Sequence, residues 1–490
     1  MDGVHDRTPV IVGVGQVTVR PGEEARQPVA LMAEALRQAA ADSGAPGVLD
    51  AAQSIRVVAL LSSRYPDPAA LVAEHLGIGP VQTVLTTDGG NSVGALIART
   101  ARSILTGELD VALVTGGEAW RTRQAARRDG TDLGWTTQPE GTEPDLVLGA
   151  PLDMNHPVER DIGVWHPIEV YPLFDNALRA HAGRTIDEHA AHLGALWERF
   201  GAVAAGNPHA WDRSAPSAAE IVTPTPGNRM VSSPYTKLLC SNEMVDQSAG
   251  VILCSAARAR ALGVPSDRWV FPLAAVEAKA PYVSERMDLW SSPMIGLAGA
   301  RLRALTGVGP DDVAHVDLYS CFPSAVQVQA SELGFGHDRE LTVTGGMRFF
   351  GGPWNNYTMH AVVSMVDRLR DDPRALGLCT SNGGLLTKQV TSLFSATPPA
   401  TDFQLDDVQD AVDALPRRGV DPSPAATTEV ETYTVVHDRE GPTRGIVAAL
   451  LPDGRRGWGM VTDAGALAAM VDGDPLGAPV ELRDGVAHLV

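Results

Sequence analysis

One order of features occurs twice along the chain, and it constrains the fold more than any other property of the sequence. The order is a glycine pair, a helical segment, an acidic turn, an apolar strand and a second glycine pair. It occupies residues 89–117 and again residues 351–384. Because both copies alternate helix and strand patterns, we expect a duplicated α/β unit with a largely parallel sheet.

The rest of the chain divides around these two copies. We expect a first half at residues 1–265, which includes an insertion at about 118–234 that is rich in Trp, His and Pro, and a second half at 266–400. Residues 401–424 are rich in Asp, Pro and Ala and are expected to form a linker. Alternating apolar residues over 425–490 predict a small β-rich domain.

The charge balance argues against two classes of partner. The chain has 39 Lys and Arg against 59 Asp and Glu, a formal net charge of -20. Nucleic acids and anionic membrane surfaces both require a basic surface, so we expect neither as a partner. No apolar run approaches the length of a membrane span.

The cysteines and histidines do not have the spacing of a metal site. His189 and His192 lie three apart on a predicted helix with no third ligand evident, so we expect a surface helix face there. The N-terminus has no signal-peptide core, which together with the cysteine pattern predicts a reducing cytoplasm and no metal. The four cysteines are far apart and form no CxxC pair: Cys240, Cys254, Cys321 and Cys379.

Five segments carry a resemblance to a known family. Together they resemble the thiolase superfamily over residues 9–399, and SNGGLLTK at 381–388 with the β-rich end resembles the thiolase-like proteins of type 1, which are related to sterol-carrier-protein thiolases. The resemblance implies layered α-β-α-β-α packing, an acyl-CoA or lipid ligand and no other cofactor. It leaves open a monomer or a homodimer. The five segments are 88–118, SPYTKLLCSNEMVDQSAGVIL at 233–253, YSCF at 319–322, GGMRFFGGP at 345–353 and LCTS at 378–381.

The catalytic positions of a thiolase are mostly altered. A thiolase needs a cysteine nucleophile at a helix N-terminus, a histidine base, a second cysteine that moves protons and an Asn or His that holds the thioester oxygen. The resemblance puts Gly90 at the nucleophile, Gly352 at the histidine and Tyr319 at the Asn or His, and retains only Cys379. Ordinary thiolase activity is therefore not expected. Ser92 could replace the nucleophile only with an adjacent base, and none is evident nearby.

Two sets of candidate residues follow, and each has a structural alternative. The catalytic candidates could instead be packing residues with satisfied polar groups, as we expect for Cys321. The arginines of the second set could belong to a solvated helix face. The catalytic set is Cys379, Tyr319, His360 and Tyr357; the CoA-binding set is Asn91, Ser92, Asn382, Arg121 and Arg123. We expect the pocket where Gly90, Tyr319, Gly352 and Cys379 converge.

Several functions remain open at this point. One is an acyltransferase of the acetyl-CoA acetyltransferase kind that acts without an acyl-enzyme. A second is carbon–carbon cleavage of a 3-hydroxyacyl-CoA, because thiolase-fold retro-aldolases carry a tyrosine at the position of Tyr319 in a YDxF motif, although this chain lacks the Asp. A third is a non-catalytic acyl-CoA or lipid binder. The β-rich end could also act as an acyl-CoA-binding module for the core.

Overall fold

The computed structural model describes residues 4–151 and 153–490, which contain 18 strands and 15 α-helices. The strands are β1 (Pro9–Thr18), β2 (Ser54–Val57), β3 (Gln82–Thr86), β4 (Val111–Ala119), β5 (Leu146–Leu148), β6 (Met230–Ser232), β7 (Tyr235–Thr236), β8 (Asp246–Ser255), β9 (Phe271–Lys279), β10 (His315–Asp317), β11 (Leu376–Gly383), β12 (Lys388–Ser395), β13 (Gln404–Asp407), β14 (Ala426–His437), β15 (Pro442–Leu450), β16 (Arg456–Val461), β17 (Pro479–Arg483) and β18 (Val486–Leu489).

The helices lie between and around these strands. They are α1 (Pro28–Asp42), α2 (Pro68–Leu76), α3 (Ser92–Thr106), α4 (Trp120–Asp129), α5 (Pro157–Asp161), α6 (Pro167–His181), α7 (Ile186–Gly206), α8 (Ala218–Val222), α9 (Ala256–Ala261), α10 (Pro293–Thr306), α11 (Pro323–Leu333), α12 (Gly346–Phe349), α13 (Tyr357–Asp371), α14 (Gln409–Asp413) and α15 (Ala464–Asp472).

Two sheets repeat one pattern of strand pairing. The first has the order β1-β8-β4-β2-β3-β5 and the second β10-β11-β12-β9-β13. In the first, β2 is parallel to β4, and β8 is antiparallel to both β4 and β1. In the second, β10 is parallel to β11, and β12 is antiparallel to both β11 and β9. This common order confirms the duplicated α/β unit.

Helices α3 and α13 form the layer between the two sheets. Both are amphipathic over a wide arc, and their apolar side chains share one core with residues of both sheets. Gly107 ends α3 in the left-handed conformation that glycine adopts without strain. Helices α1 and α2 cover the outer face of the first sheet, and α10 and α11 pack against the second half's core. The layered α-β-α-β-α architecture is therefore confirmed.

A third sheet joins the end of the chain to the insertion. Strands β14, β15, β16, β18 and β17 pair in a closed ring, and β14 also pairs with β6 of the insertion. Arg456 is fully buried there, where it pairs with Glu431 at 2.6 Å and donates to the carbonyl oxygens of Ser284 (2.9 Å) and Arg286 (2.6 Å) in the second half. The β-rich end is thus anchored to the core by buried polar contacts.

The segment that we expected to be a linker contributes to the second sheet. Strand β13 pairs in parallel with β9 at the sheet edge, and α14 follows it. None of the described helices is long and apolar enough to cross a membrane. Within residues 4–151 and 153–490, no group of three or more His, Cys, Asp or Glu side chains has the arrangement of a metal site.

Candidate functional site

A cavity of about 630 Å³ opens at the N-terminal end of α3. Its walls come from both halves of the fold: the loop 88–90, the segment 319–322, the loop 352–355 and the turn 382–388. The insertion closes it with Asp153, Met154 and the first turn of α6. Gly90, Tyr319 and Gly352 therefore meet at one cavity, at the positions where the sequence suggested a pocket.

The ring of Tyr319 fills the space next to Gly90. A Cβ atom added to Gly90 would lie within 3.0 Å of the Tyr319 hydroxyl oxygen, of the ring carbon that carries it (2.7 Å) and of the Asn382 carbonyl oxygen. Real Cβ atoms essentially never show such separations. Any side chain at position 90 would displace the tyrosine or the backbone of the turn.

The backbone of Tyr319 is held on both sides. Its N–H donates to Thr380 Oγ1 at 2.8 Å, and its carbonyl oxygen accepts from Gln329 Nε2 at 2.9 Å. The ring meets Tyr357 edge to face, with 5.6 Å between the centroids. The hydroxyl hydrogen-bonds to no side chain or backbone group in the described ranges, although it faces the cavity. Burial raises the pKa of Tyr319, so the phenol is protonated at neutral pH.

A cysteine and a second tyrosine in the cavity wall were not predicted from the sequence. Cys321, which we expected to be only a packing residue, lines the cavity beside the Tyr171 hydroxyl, and burial raises the pKa of its thiol to about 12. Tyr171 accepts from Asn382 Nδ2 at 3.0 Å and stacks on Phe322 at 4.7 Å. Since residues two apart in an extended segment face the same side, the position of Cys321 relative to Tyr319 was the available signal.

Cys379 is not part of the cavity, which corrects our expectation. Side chains alternate along β11, so Cys379 and Ser381 point toward the layer of α3, where Ser381 lies against Gly94. Thr380 and Asn382 point the other way, toward Tyr319 and Tyr171. Cys379 is 1% exposed in the apolar core, and burial raises the pKa of its thiol far above the ordinary value.

Tyr357 and His360 also lie behind the cavity wall rather than in it. The Tyr357 hydroxyl is 2.7 Å from Thr344 Oγ1 and 3.1 Å from Asp317 Oδ1, and burial raises the pKa of Asp317 to about 6. His360 Nδ1 pairs with Gln16 Oε1 at 2.9 Å, and burial lowers the pKa of His360 to about 3. The expectation that these two residues reach the pocket is wrong, because α13 turns both side chains into the core.

The expected CoA-binding residues are divided among three places. Asn382 lines the main cavity, whereas Asn91 and Ser92 line an adjoining cavity of about 110 Å³. Arg121 pairs with Asp246 at 2.9 Å, and the Arg123 guanidinium lies 5.8 Å from the centre of the Trp135 ring. Neither arginine lines the cavity, because both are held on α4 against the first sheet and the insertion.

Acidic groups and one lysine line the cavity. The carboxylates of Asp88, Asp153 and Glu243 lie in its wall with Lys388, whose Nζ donates to the Asp88 carbonyl oxygen at 3.1 Å. Burial lowers the pKa of Lys388. The described lining of the main cavity therefore contains no cluster of cations for a phosphate group.

Glu118 lies behind the cavity wall at the end of β4. Its carboxylate accepts from the N–H groups of Leu61 and Ser62, each at 2.7 Å, and so holds the loop whose Leu61 lines the cavity. Burial raises the pKa of Glu118 to about 7. The sequence placed Glu118 at the end of a motif but offered no sign of this role.

The helix face with His189 is buried, contrary to our expectation of a surface. His189 is 1% exposed, and its Nε2 lies 2.7 Å from Asp175 Oδ1. Asp175 also accepts from Tyr235 and from Gln327 at 3.0 Å. The insertion packs α7 onto α6 and α11, which covers this face, so the histidine is a core residue.

The chain has the thiolase fold: two repeated sheets enclose the central helices α3 and α13, and a cavity lies at the N-terminus of α3. The family model for the additional C-terminal domain of thiolase-like protein type 1 matches residues 407–485. The crystal structure of a monomeric SCP2-thiolase-like protein type 1 from Mycobacterium smegmatis is similar over 99% of this chain and 100% of its own, with 31% identity and a TM-score of 0.84. The chain belongs to this family, the SCP2-thiolase-like proteins of type 1.

Two further proteins are similar over much of the chain. A 17-hydroxy-3-oxo-4-pregnene-20-carboxyl-CoA lyase of Mycobacterium tuberculosis (strain ATCC 25618 / H37Rv) is 28% identical over 340 residues, which are 66% of this chain and 78% of the lyase. The solved Ltp2-ChsH2(DUF35) aldolase is 20% identical, with a TM-score of 0.60, over 80% of this chain and 98% of its own. The second likeness shows the fold alone.

Proposed function

We propose that the chain binds a small CoA thioester in the main cavity and acts on it without forming an acyl-enzyme. The observation that carries this proposal is the Tyr319 phenol in the space that a side chain at position 90 would need. Cys321 is the thiol in the cavity wall, and with a pKa of about 12 its thiolate fraction near pH 7 is only about 10⁻⁵. Neither position 90 nor Cys321 therefore supplies a nucleophile.

Carbon–carbon cleavage of a 3-hydroxyacyl-CoA is the reaction we favour. In such a cleavage the 3-hydroxyl loses its proton, the C2–C3 bond breaks, and its electron pair passes to the thioester enolate, which is then protonated at C2. Because burial keeps Tyr319 protonated at rest, the phenol donates its proton to the forming 3-hydroxyl in the addition direction. In cleavage the phenol first loses its proton to solvent, and the phenolate then accepts the proton of the 3-hydroxyl. The name of the similar lyase supports this reaction class.

Acyl transfer of the acetyl-CoA acetyltransferase kind has less support. It needs either a nucleophile in the cavity or two bound thioesters, and Cys379 lies in the core instead. We therefore assign Tyr319 as the acid/base group and Asn382 as a polar contact for the ligand.

The test is a cleavage assay with 3-hydroxyacyl-CoA thioesters of increasing size, with detection of the carbonyl product and the shortened acyl-CoA. Tyr319→Phe is expected to lower the rate by at least about 100-fold while calorimetric binding is retained. Tyr65→Phe is the matched control, because the Tyr65 hydroxyl contacts Gln27 away from the cavity. A covalent acyl adduct on any cysteine in intact-mass spectra would refute the proposal.

A non-catalytic binder is the second candidate, and one observation favours it. No described side chain hydrogen-bonds to the Tyr319 hydroxyl, so no protein group is aligned to exchange its proton. In this case the wild type and Tyr319→Phe would bind the thioesters equally and neither would release a product.

A further inference from the structure

A second cavity, of about 480 Å³, lies along the C-terminal half of α3, where β2, β3 and β5 form its other wall. Its polar lining includes Arg56, Arg102, Gln53, Gln82 and Glu108. On α3, Arg99 and Arg102 line this cavity 9 and 12 residues after Gly90. A helix rises about 1.5 Å per residue, so this cavity is separated from the candidate active site by roughly 15 Å of α3.

Arg56 is the central feature of this cavity. It is 4% exposed, and its Nε and Nη1 donate only to the hydroxyls of Ser54 (3.4 Å) and Thr100 (3.2 Å). Its Nη2 has no hydrogen-bond partner in the described ranges, and no described carboxylate forms an ion pair with it. A buried charge is ordinarily paired, because its desolvation without an ion-pair partner is unfavourable. Burial correspondingly lowers the pKa of Arg56.

The other charges around the cavity leave an excess of positive charge. Arg99 is neutralised by a bidentate pair with Glu277, whereas Arg102 is exposed and has no described ion-pair partner. Glu108 is the acid of the lining, and its oxygens accept from Ser103 and Thr106 at 2.8 and 2.9 Å. Arg56 and Arg102 thus face a single carboxylate, in a chain whose formal net charge is -20.

We propose that this cavity is an oxyanion site that binds a phosphate group, with Arg56 at its floor and Arg102 at its rim. The free Nη2 of Arg56 supplies a charge-assisted donor at the closed end. The side-chain amides of Gln53 and Gln82 lie in the same wall and add neutral donors. A phosphate matches two guanidinium groups better than a carboxylate does, because it carries more negative charge and more acceptor oxygens. The site is independent of the function proposed for the main cavity.

The experiment is calorimetric titration of the full-length protein at low ionic strength with inorganic phosphate, glycerol 3-phosphate and acetate. We expect saturable binding of one phosphate per chain, and at least about tenfold weaker binding by Arg56→Met. Stronger binding of glycerol 3-phosphate than of phosphate would identify a phosphate ester as the ligand, and the reverse would identify the free ion. Arg127→Met, an exposed arginine on α4, is the matched control and should bind like the wild type.

Three outcomes would overturn the proposal. One is the absence of saturable heat with both phosphate probes up to roughly 10 mM. The second is wild-type affinity in folded Arg56→Met, and the third is acetate binding as tight as phosphate binding. If Arg56→Met does not fold, the exposed rim decides instead: Arg102→Met must weaken phosphate binding, and unchanged affinity in that variant would refute the site.

Discussion

Replacing Gly90 by alanine tests the steric basis of the proposed function. The φ angle of Gly90 is not in the left-handed region, so alanine meets no backbone strain there. A Gly→Ala change at a compatible backbone position stabilises a protein by about 0.4–1 kcal/mol through the unfolded chain. Against this, the new Cβ would crowd the Tyr319 ring and the Asn382 carbonyl oxygen. Such overpacking costs about 1–3 kcal/mol.

The net expectation for Gly90→Ala is a loss of about 1–2 kcal/mol in the free energy of unfolding, measured by reversible urea denaturation. Gly206→Ala is the matched control. Gly206 is an exposed helical glycine with nothing within 4 Å of an added Cβ, so alanine should raise stability by up to about 1 kcal/mol.

A double-mutant cycle with Tyr319→Phe identifies the partner in the clash. The phenylalanine lacks the hydroxyl but keeps the ring carbon 2.7 Å from the added Cβ, so it should relieve part of the cost, with a coupling energy of about 0.5–2 kcal/mol. Gly90→Ala with wild-type stability or above, or a cycle with no coupling, would refute the reasoning. Gly90→Cys should form no acyl adduct with a thioester, because the Tyr319 ring occupies the space that the thiol would need.

Three other predictions concern regions around the cavity. The pKa of Glu118 is 4.5 in the unfolded chain and about 7 in the folded protein, so the folded state binds more protons between these two pH values. The free energy of unfolding of the wild type, relative to that of Glu118→Gln, should therefore fall by up to about 3 kcal/mol as the pH rises through this window. Arg456→Met leaves Glu431 and several buried carbonyl oxygens without their donor and should lower the free energy of unfolding by about 3–5 kcal/mol in urea denaturation. The edge of β3 is covered by β5, so the strand that ends this sheet has only three residues (Leu146–Leu148), too short to pair with a second copy, and analytical ultracentrifugation should give a monomer.

Each of these has a contrary outcome. A wild-type-to-Glu118→Gln difference that is constant between pH 4.5 and 7 would contradict the raised pKa, since other buried acids are shared by both proteins. Arg455→Met, an exposed neighbour, is the control for Arg456, and equal losses in the two variants would show that burial is not the cause. A concentration-independent dimer would show that another surface mediates association.

Much of the core was predictable from the sequence because its signals are local. The helix-like run at 93–105 and the strand runs at 110–115 and 375–380 are determined by the spacing of apolar residues within a few turns or strand positions. Their repetition in the same order indicated the duplicated fold without tertiary information. Gly90 and Gly352 converge because they precede the equivalent helices α3 and α13 of the duplicated fold, and Tyr319 reaches the same cavity from the end of β10.

The rest depends on contacts between residues far apart in the chain. Which side of β11 faces the core decides that Asn382 lines the cavity and Cys379 does not, and a one-residue change of register would reverse that assignment. The buried environment of Glu118 likewise arises only when the loop of Leu61 and Ser62 packs against β4, and that of His189 only when α7 packs onto α6 and α11. The sequence by itself determined the order of helices and strands and the presence of a glycine, with no side chain, at position 90. Only the tertiary structure decided that Tyr319 occupies that space and that Arg56 is buried without an ion-pair contact to any described carboxylate, because packing brings together groups whose sequence positions carry no common signal.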